Sequence, residues 1–212
     1  MLRKEERVKK NIIFYFLLLG IFSLVLLWGD SFAQTSRMGL QNSPQTQEFK
    51  ERQQKKMQDY LANFERENKE FVKTLEGMSR EQKILAVKDF ISKQYEKNCA
   101  FRKKMYEEQR SFIKKQLNKN PNMPKMMKER MLARIDEDYN ELKDFHAKKI
   151  EEDMEFLDNL LKDSSIDGQE LNNKLQEFFK GQKLDAQNFL NRQQRRYHNP
   201  SGSLNYDRDS SM

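Results

Sequence analysis

Aromatic side chains recur along this chain at intervals of eleven. Phe49, Tyr60 and Phe71 form one set, Phe90, Phe101 and Phe112 a second, Phe145 and Phe156 a third, Phe178 and Phe189 a fourth. A second stripe keeps the same step through Phe64 and Leu75, then Ile84, Tyr95, Tyr106 and Leu117, then Tyr139, Ile150 and Leu161. Eleven residues close three helical turns of about 3.67 residues, so the members of a set stay on one helix face. A half-buried strand would instead alternate with period two. The pattern predicts an all-α fold.

A longer period joins the sets. Phe101, Phe145 and Phe189 stand 44 residues apart, in QYEKNCAF, DYNELKDF and QKLDAQNF, and the helix ends EFVKTL, SFIKKQL and EFLDNLL match as well. This reads as four copies of a helix-plus-turn unit over residues 46–198, the first displaced by three residues and the fourth lacking the second stripe. The second and third helices should run about 38 residues, nearly 60 Å at 1.5 Å per residue. Short turns make sequential neighbours antiparallel, so the expected architecture is an elongated up-and-down array of four long helices. Its core would be narrow, and a second copy completing it, a homodimer, is an expected partner.

Local signals place the turns. Gly77 suits a left-handed end to the first helix, and Ser79 with Gln82 forms a capping-box pattern for the second. NKNPNMP separates the second helix from the third and puts Pro124 in a first turn, where its missing amide proton costs nothing. Asp167 with Glu170 caps the fourth, with Ile166 facing Leu171 as a hydrophobic staple. Residues 34–45 read as a flexible linker and 199–212 as a disordered tail.

The amino-terminal 33 residues have a different pattern. Ile12 to Trp28 is apolar except for Gly20 and Ser23, and follows a basic stretch containing Arg3, Lys4, Arg7, Lys9 and Lys10. This is the layout of an export signal. Ser31 and Ala33 supply the small residues for cleavage between Ala33 and Gln34. Retention as a signal anchor is the alternative, since 17 apolar residues reach the lower limit for spanning a bilayer. Either way, the remainder is expected outside the cytoplasm, periplasmic or extracellular, with membrane contact through residues 12–28 if they are retained.

Composition narrows the function classes. The 212 residues are 36% hydrophobic and 34% charged, with seven glycines and four prolines, too polar for a multi-pass membrane protein and too poor in turn residues for a many-stranded β fold. The net charge is +7, and removing five basic and three acidic residues within 1–33 leaves 35 basic against 30 acidic. That mild excess weakly favours anionic surfaces and falls short of a nucleic-acid signature, which needs clustered charge together with a recognisable module. Cys99 is the one cysteine and has no partner within the chain.

Candidate chemistry is sparse. His146 and His198 form no HExxH or ExxH arrangement, and no GxSxG, Walker loop or dinucleotide fingerprint is present. The acidic runs Asp136-Glu137-Asp138 and Glu151-Glu152-Asp153, with Lys148 and Lys149 nearby, read as a solvated ion-pair surface. No enzymatic activity and no cofactor are expected. Met123, Met126, Met127 and Met131 share a helix face where thioethers could hold copper(I), but packing at the start of a core stripe is the plainer reading. Arg192, Arg195 and Arg196 suit either a solvated helix end or contact with anionic polymers or lipid head groups.

Met78-Ser79-Arg80-Glu81-Gln82 resembles a relaxed form of the Leu-Thr-x-x-Gln helix start of the Spy and CpxP group of periplasmic proteins. The resemblance implies a cradle-shaped dimer that holds unfolded clients without ATP.

The leading functional expectation is an exported, non-catalytic helical protein that binds polypeptides, clients or copies of itself, through an apolar face containing Phe90, Phe101, Phe112, Phe145 and Phe156. The alternatives are a membrane-anchored helical spacer and a copper(I) or anionic-polymer binder.

Overall fold

The computed structural model describes residues 43–166 and 168–198, and among them every regular element is an α-helix. These are α1 (Pro44–Thr74), α2 (Arg80–Asn118), α3 (Lys125–Lys162) and α4 (Gly168–His198). The expected export signal, the Ala33–Gln34 bond, the expected cap at Asp167 and the expected tail at 199–212 lie outside the described residues. Among the described residues no helix is long and apolar enough to cross a membrane.

The caps explain where the helices stop. Ser43 takes an extended conformation and its hydroxyl accepts from the Thr46 amide, while Pro44 fills the first position, where no amide donor is needed. α1 therefore begins two residues inside the segment expected to be linker. Gly77 has φ of 78°, the left-handed region, and carries the chain towards α2. Ser79 and Gln82 make both bonds of a capping box. Pro124 lies just outside α3, at its N-cap, with extended ψ of 142° and no side-chain cap bond, rather than in the first turn. Ile166 is buried and shares an apolar cluster with Leu171, as a staple requires.

The aromatic residues meet in stacked pairs between helices. Phe49 lies on Phe112, Tyr60 on Phe101 and Phe71 on Phe90, with ring centroids 4.0 to 4.2 Å apart. The rings of α1 thus meet those of α2 in reverse order of sequence. Phe145 on Phe189 and Phe156 on Phe178 do the same between α3 and α4. Between α2 and α3, whose backbones approach most closely, Tyr106 stacks on Tyr139.

The apolar core is divided between the two ends. Ile84, Ile91, Leu157, Leu160 and Ile166 are buried near the Gly77 turn, with Phe71, Val72 and Leu171 against them. Ile113, Leu117 and Ile135 are buried near the α2–α3 turn, with Met123, Met131 and Leu132 against them. At about 25 cal/mol per Å² of buried apolar surface, each such side chain contributes roughly 1.5–3 kcal/mol.

Candidate functional site

Two features of the folded chain could carry function: the aromatic rungs, and a belt of buried polar side chains between the apolar ends.

The rungs contain the whole of the expected apolar binding face. Phe90, Phe101, Phe112, Phe145 and Phe156 are each half-buried, and each is stacked on a ring of the neighbouring helix. Polar pairs lie between the rungs in the same register. Gln53 donates to Glu108 at 2.7 Å, Lys56 donates to the same carboxylate, and Gln94 and Lys97 both donate to Glu67 at 2.7 Å. Across α3 and α4, Lys149 donates to Asp185 at 2.5 Å and Gln182 to Glu152 at 3.2 Å. Glu67, Glu108 and Glu152 are half-buried, and although burial opposes ionisation, the ammonium and amide donors around each hold it below the usual carboxylate range.

The belt is a feature that hydrophobic patterning misses. On α2 the buried positions run Ile91, Gln94, Asn98, Arg102, Met105, Gln109, Ile113 and Leu117. This is an unbroken line of three- and four-residue steps whose middle is mostly polar. The spacing was present in the sequence, but the residue types hid it. Gln53 and Asn68 of α1 and His146 and Lys149 of α3 are buried as well.

At the centre, Arg102 donates through Nε to Asn98 Oδ1 at 2.7 Å, while its Nη1 has no protein partner. Burial pulls the guanidinium down to about 10, which leaves it charged at neutral pH. Burial and the nearby Arg102 push His146 down to about 2, so it is a neutral imidazole. Neither of its ring nitrogens has a protein partner. Seven residues further along α3, burial raises the Asp153 carboxyl to about 7, with Lys149 partly opposing it. Lys149 is thus buried and Glu152 and Asp153 half-buried, while Lys148 and Glu151 of that run are exposed as expected. The reason is the arrival of α4, whose Asp185 covers Lys149.

A nucleophile needs a base within hydrogen-bond reach, and His146 forms no such bond. Cys99 is half-exposed. Among the described residues no group of His, Cys, Asp or Glu could hold a metal ion, and the side chain of His198 is outside the description.

The methionines part company. Met123 and Met131 are half-buried against Ile113, Leu117 and Ile135, as packing requires. Met126 and Met127 are 72% and 54% exposed. They lie in the first turn of α3, so the core stripe expected there begins later.

No family model matches the chain, and no curated protein or solved structure is significantly similar to it.

Proposed function

We propose that this chain is an exported, non-catalytic protein that works as a membrane-anchored spacer. In this reading the apolar segment from Ile12 to Trp28 is retained in the bilayer. The four helices form an elongated up-and-down array organised by the eleven-residue aromatic step. The observation that carries the reading is the commitment of all five phenylalanines of the apolar face to stacks within the same molecule. A side chain stacked on its own neighbour helix stiffens the array and offers a client less than an open face would. The polar pairs between rungs add a reason for stiffness: a slip by one eleven-residue step would rematch ring with ring but would separate Gln53 from Glu108 and Gln94 from Glu67.

A second reading, capture of unfolded polypeptides as in the Spy and CpxP group, is favoured by one observation. Most rung residues are half-buried rather than fully buried, so ring edges reach solvent.

Amino-terminal sequencing of the chain recovered from membrane and soluble fractions, combined with hydrophobic-dye binding, separates the two. The spacer reading expects an intact Met1 in the membrane fraction and little dye response. A soluble chain beginning at Gln34 that binds dye and suppresses aggregation of an unrelated unfolding protein would replace it with the client-binding reading.

A further inference from the structure

We propose that the end of the bundle formed by the α2–α3 turn is a docking surface for an anionic lipid membrane. Between residues 111 and 133 the chain carries Lys114, Lys115, Lys119, Lys125, Lys128 and Arg130 against the single acid Glu129. All of these cations are exposed except the half-buried Lys128. The acid is matched to Lys125 at 3.8 Å. The arginines just beyond this stretch, Arg110 and Arg134, are paired with Asp136 and Asp138 and add nothing to the excess. The opposite end is balanced: residues 72–88 and 158–166 carry five basic side chains, Lys73, Arg80, Lys83, Lys88 and Lys162, against four acids, Glu76, Glu81, Asp158 and Asp163. Positive charge is therefore concentrated at one pole of the array, and complementarity asks for an extended negative surface.

Apolar groups stand at the same pole. Met126 and Met127 project from the first turn of α3 among the lysines. Flexible thioether chains ringed by ammonium groups match an interface in which headgroups meet the cations and the acyl boundary receives the apolar tips. A cleft of about 510 Å³ opens between the start of α1 and the end of α2, lined by Arg52, Lys115, Lys119 and Glu48 over the Phe49–Phe112 rung.

The position in the chain selects a membrane as the occupant. Lys119 donates to Gln45 at 2.7 Å, so the pole that bears the cations is also the pole at which α1 begins. The 14 residues between Trp28 and Ser43 span at most about 50 Å when fully extended. If Ile12 to Trp28 stays in the bilayer, this pole is the one held near the lipid surface. On that point the inference rests on the spacer reading, but its charge and apolar arguments stand without an anchor.

The test uses the full chain with Cys99→Ala and a single reporter cysteine, Asn122→Cys, at the turn. A companion variant carries Ser164→Cys at the opposite pole. Each is labelled with an environment-sensitive fluorophore and mixed with vesicles of phosphatidylcholine alone or with about one third phosphatidylglycerol. The expected result is a blue shift at position 122 with phosphatidylglycerol only. That shift should be lost in about 1 M salt, where the screening length falls to about 3 Å. It should also be lost in Lys119→Glu/Lys125→Glu/Lys128→Glu, since each basic side chain near such a surface is worth roughly a fivefold change in partition. Circular dichroism of the triple variant checks that the substitutions leave the helices intact. No shift at 122, an equal shift at 164, or a shift that survives in a folded triple variant overturns the proposal. If the chain floats with phosphatidylglycerol vesicles but not with phosphatidylcholine ones, the anchor fails while the docking surface stands.

Discussion

Tyr60 of α1 stacks on Phe101 of α2 with ring centroids 4.2 Å apart and planes 10° from parallel. It is the middle rung of three, one eleven-residue step from Phe49–Phe112 and one from Phe71–Phe90. Burial pushes its phenol up to about 12, so the hydroxyl stays protonated across the accessible pH range. If the rung holds α1 to α2, Tyr60→Leu and Phe101→Leu should not be additive. A double-mutant cycle read by chemical denaturation is expected to give a coupling of about 0.5–1.5 kcal/mol, the range for aromatic pairs beyond simple burial. Additivity within error would mean that the rings merely lie alongside each other.

Gly77 tests the turn between α1 and α2. A Cβ built there would meet nothing within 4 Å, so crowding contributes no cost. What remains is the backbone: with φ at 78°, alanine must enter the left-handed region at a cost of roughly 1–2 kcal/mol. Gly77→Ala should therefore lower the unfolding free energy, read by chemical denaturation, by that amount. Gly181, in the body of α4 with equally open space around it, should tolerate alanine or gain up to about 1 kcal/mol from helix propensity.

The helices were legible in the sequence because their signals are local and periodic. The absence of a period-two alternation marked the elements as helical, and Gly77, Ser79 and Gln82 located the first turn. The polar interior was illegible for a physical reason. Gln94, Asn98 and Arg102 continue the line of Ile91 and Ile113 by position, but their chemistry marks them as surface. Only neighbours on other helices, such as Glu67 of α1 against Gln94, enclose them. The exposure of Met126 and Met127 was hidden for the converse reason: their spacing is that of a core stripe, yet the first turn of α3 leaves both in solvent. The belt therefore depends on tertiary register, which no single helix specifies.

Arg102 shows what that enclosure costs. It has one side-chain partner, Asn98, and an unpartnered Nη1 in a buried setting. Exchanging a poorly compensated buried charge for an apolar side chain of similar volume is often neutral or stabilising by about 1–4 kcal/mol. Arg102→Met should hold or raise the melting temperature, at about 2–4 °C per kcal/mol for a chain of this size. Asn98→Ala should lower it, because the guanidinium then loses its acceptor. A large fall for Arg102→Met would show that the charge fixes the register of the helices.

His146 and Asp153 make opposite demands on pH. Burial and Arg102 hold His146 neutral, with its folded value near 2 against an ordinary 6.5. The unfolded chain therefore binds the extra proton between those values. Stability contributed by neutral His146 is complete above about 6.5 and falls as the pH drops, by up to about 1.4 kcal/mol per unit. Asp153 is raised from 3.8 to about 7, chiefly by burial, so the folded state holds the proton in that window and stability falls as the pH rises through it. Between about 4 and 6.5 the two slopes nearly cancel, and the wild-type chain should show a flat profile there. Each variant should expose the other's slope. His146→Leu leaves Asp153 alone, so its stability should decline from pH 4 towards 7. Asp153→Asn leaves His146 alone, so its stability should climb from pH 4 to 6.5. Denaturant midpoints measured across this range decide the matter, and parallel profiles for both variants and the wild type would mean that neither group titrates with folding.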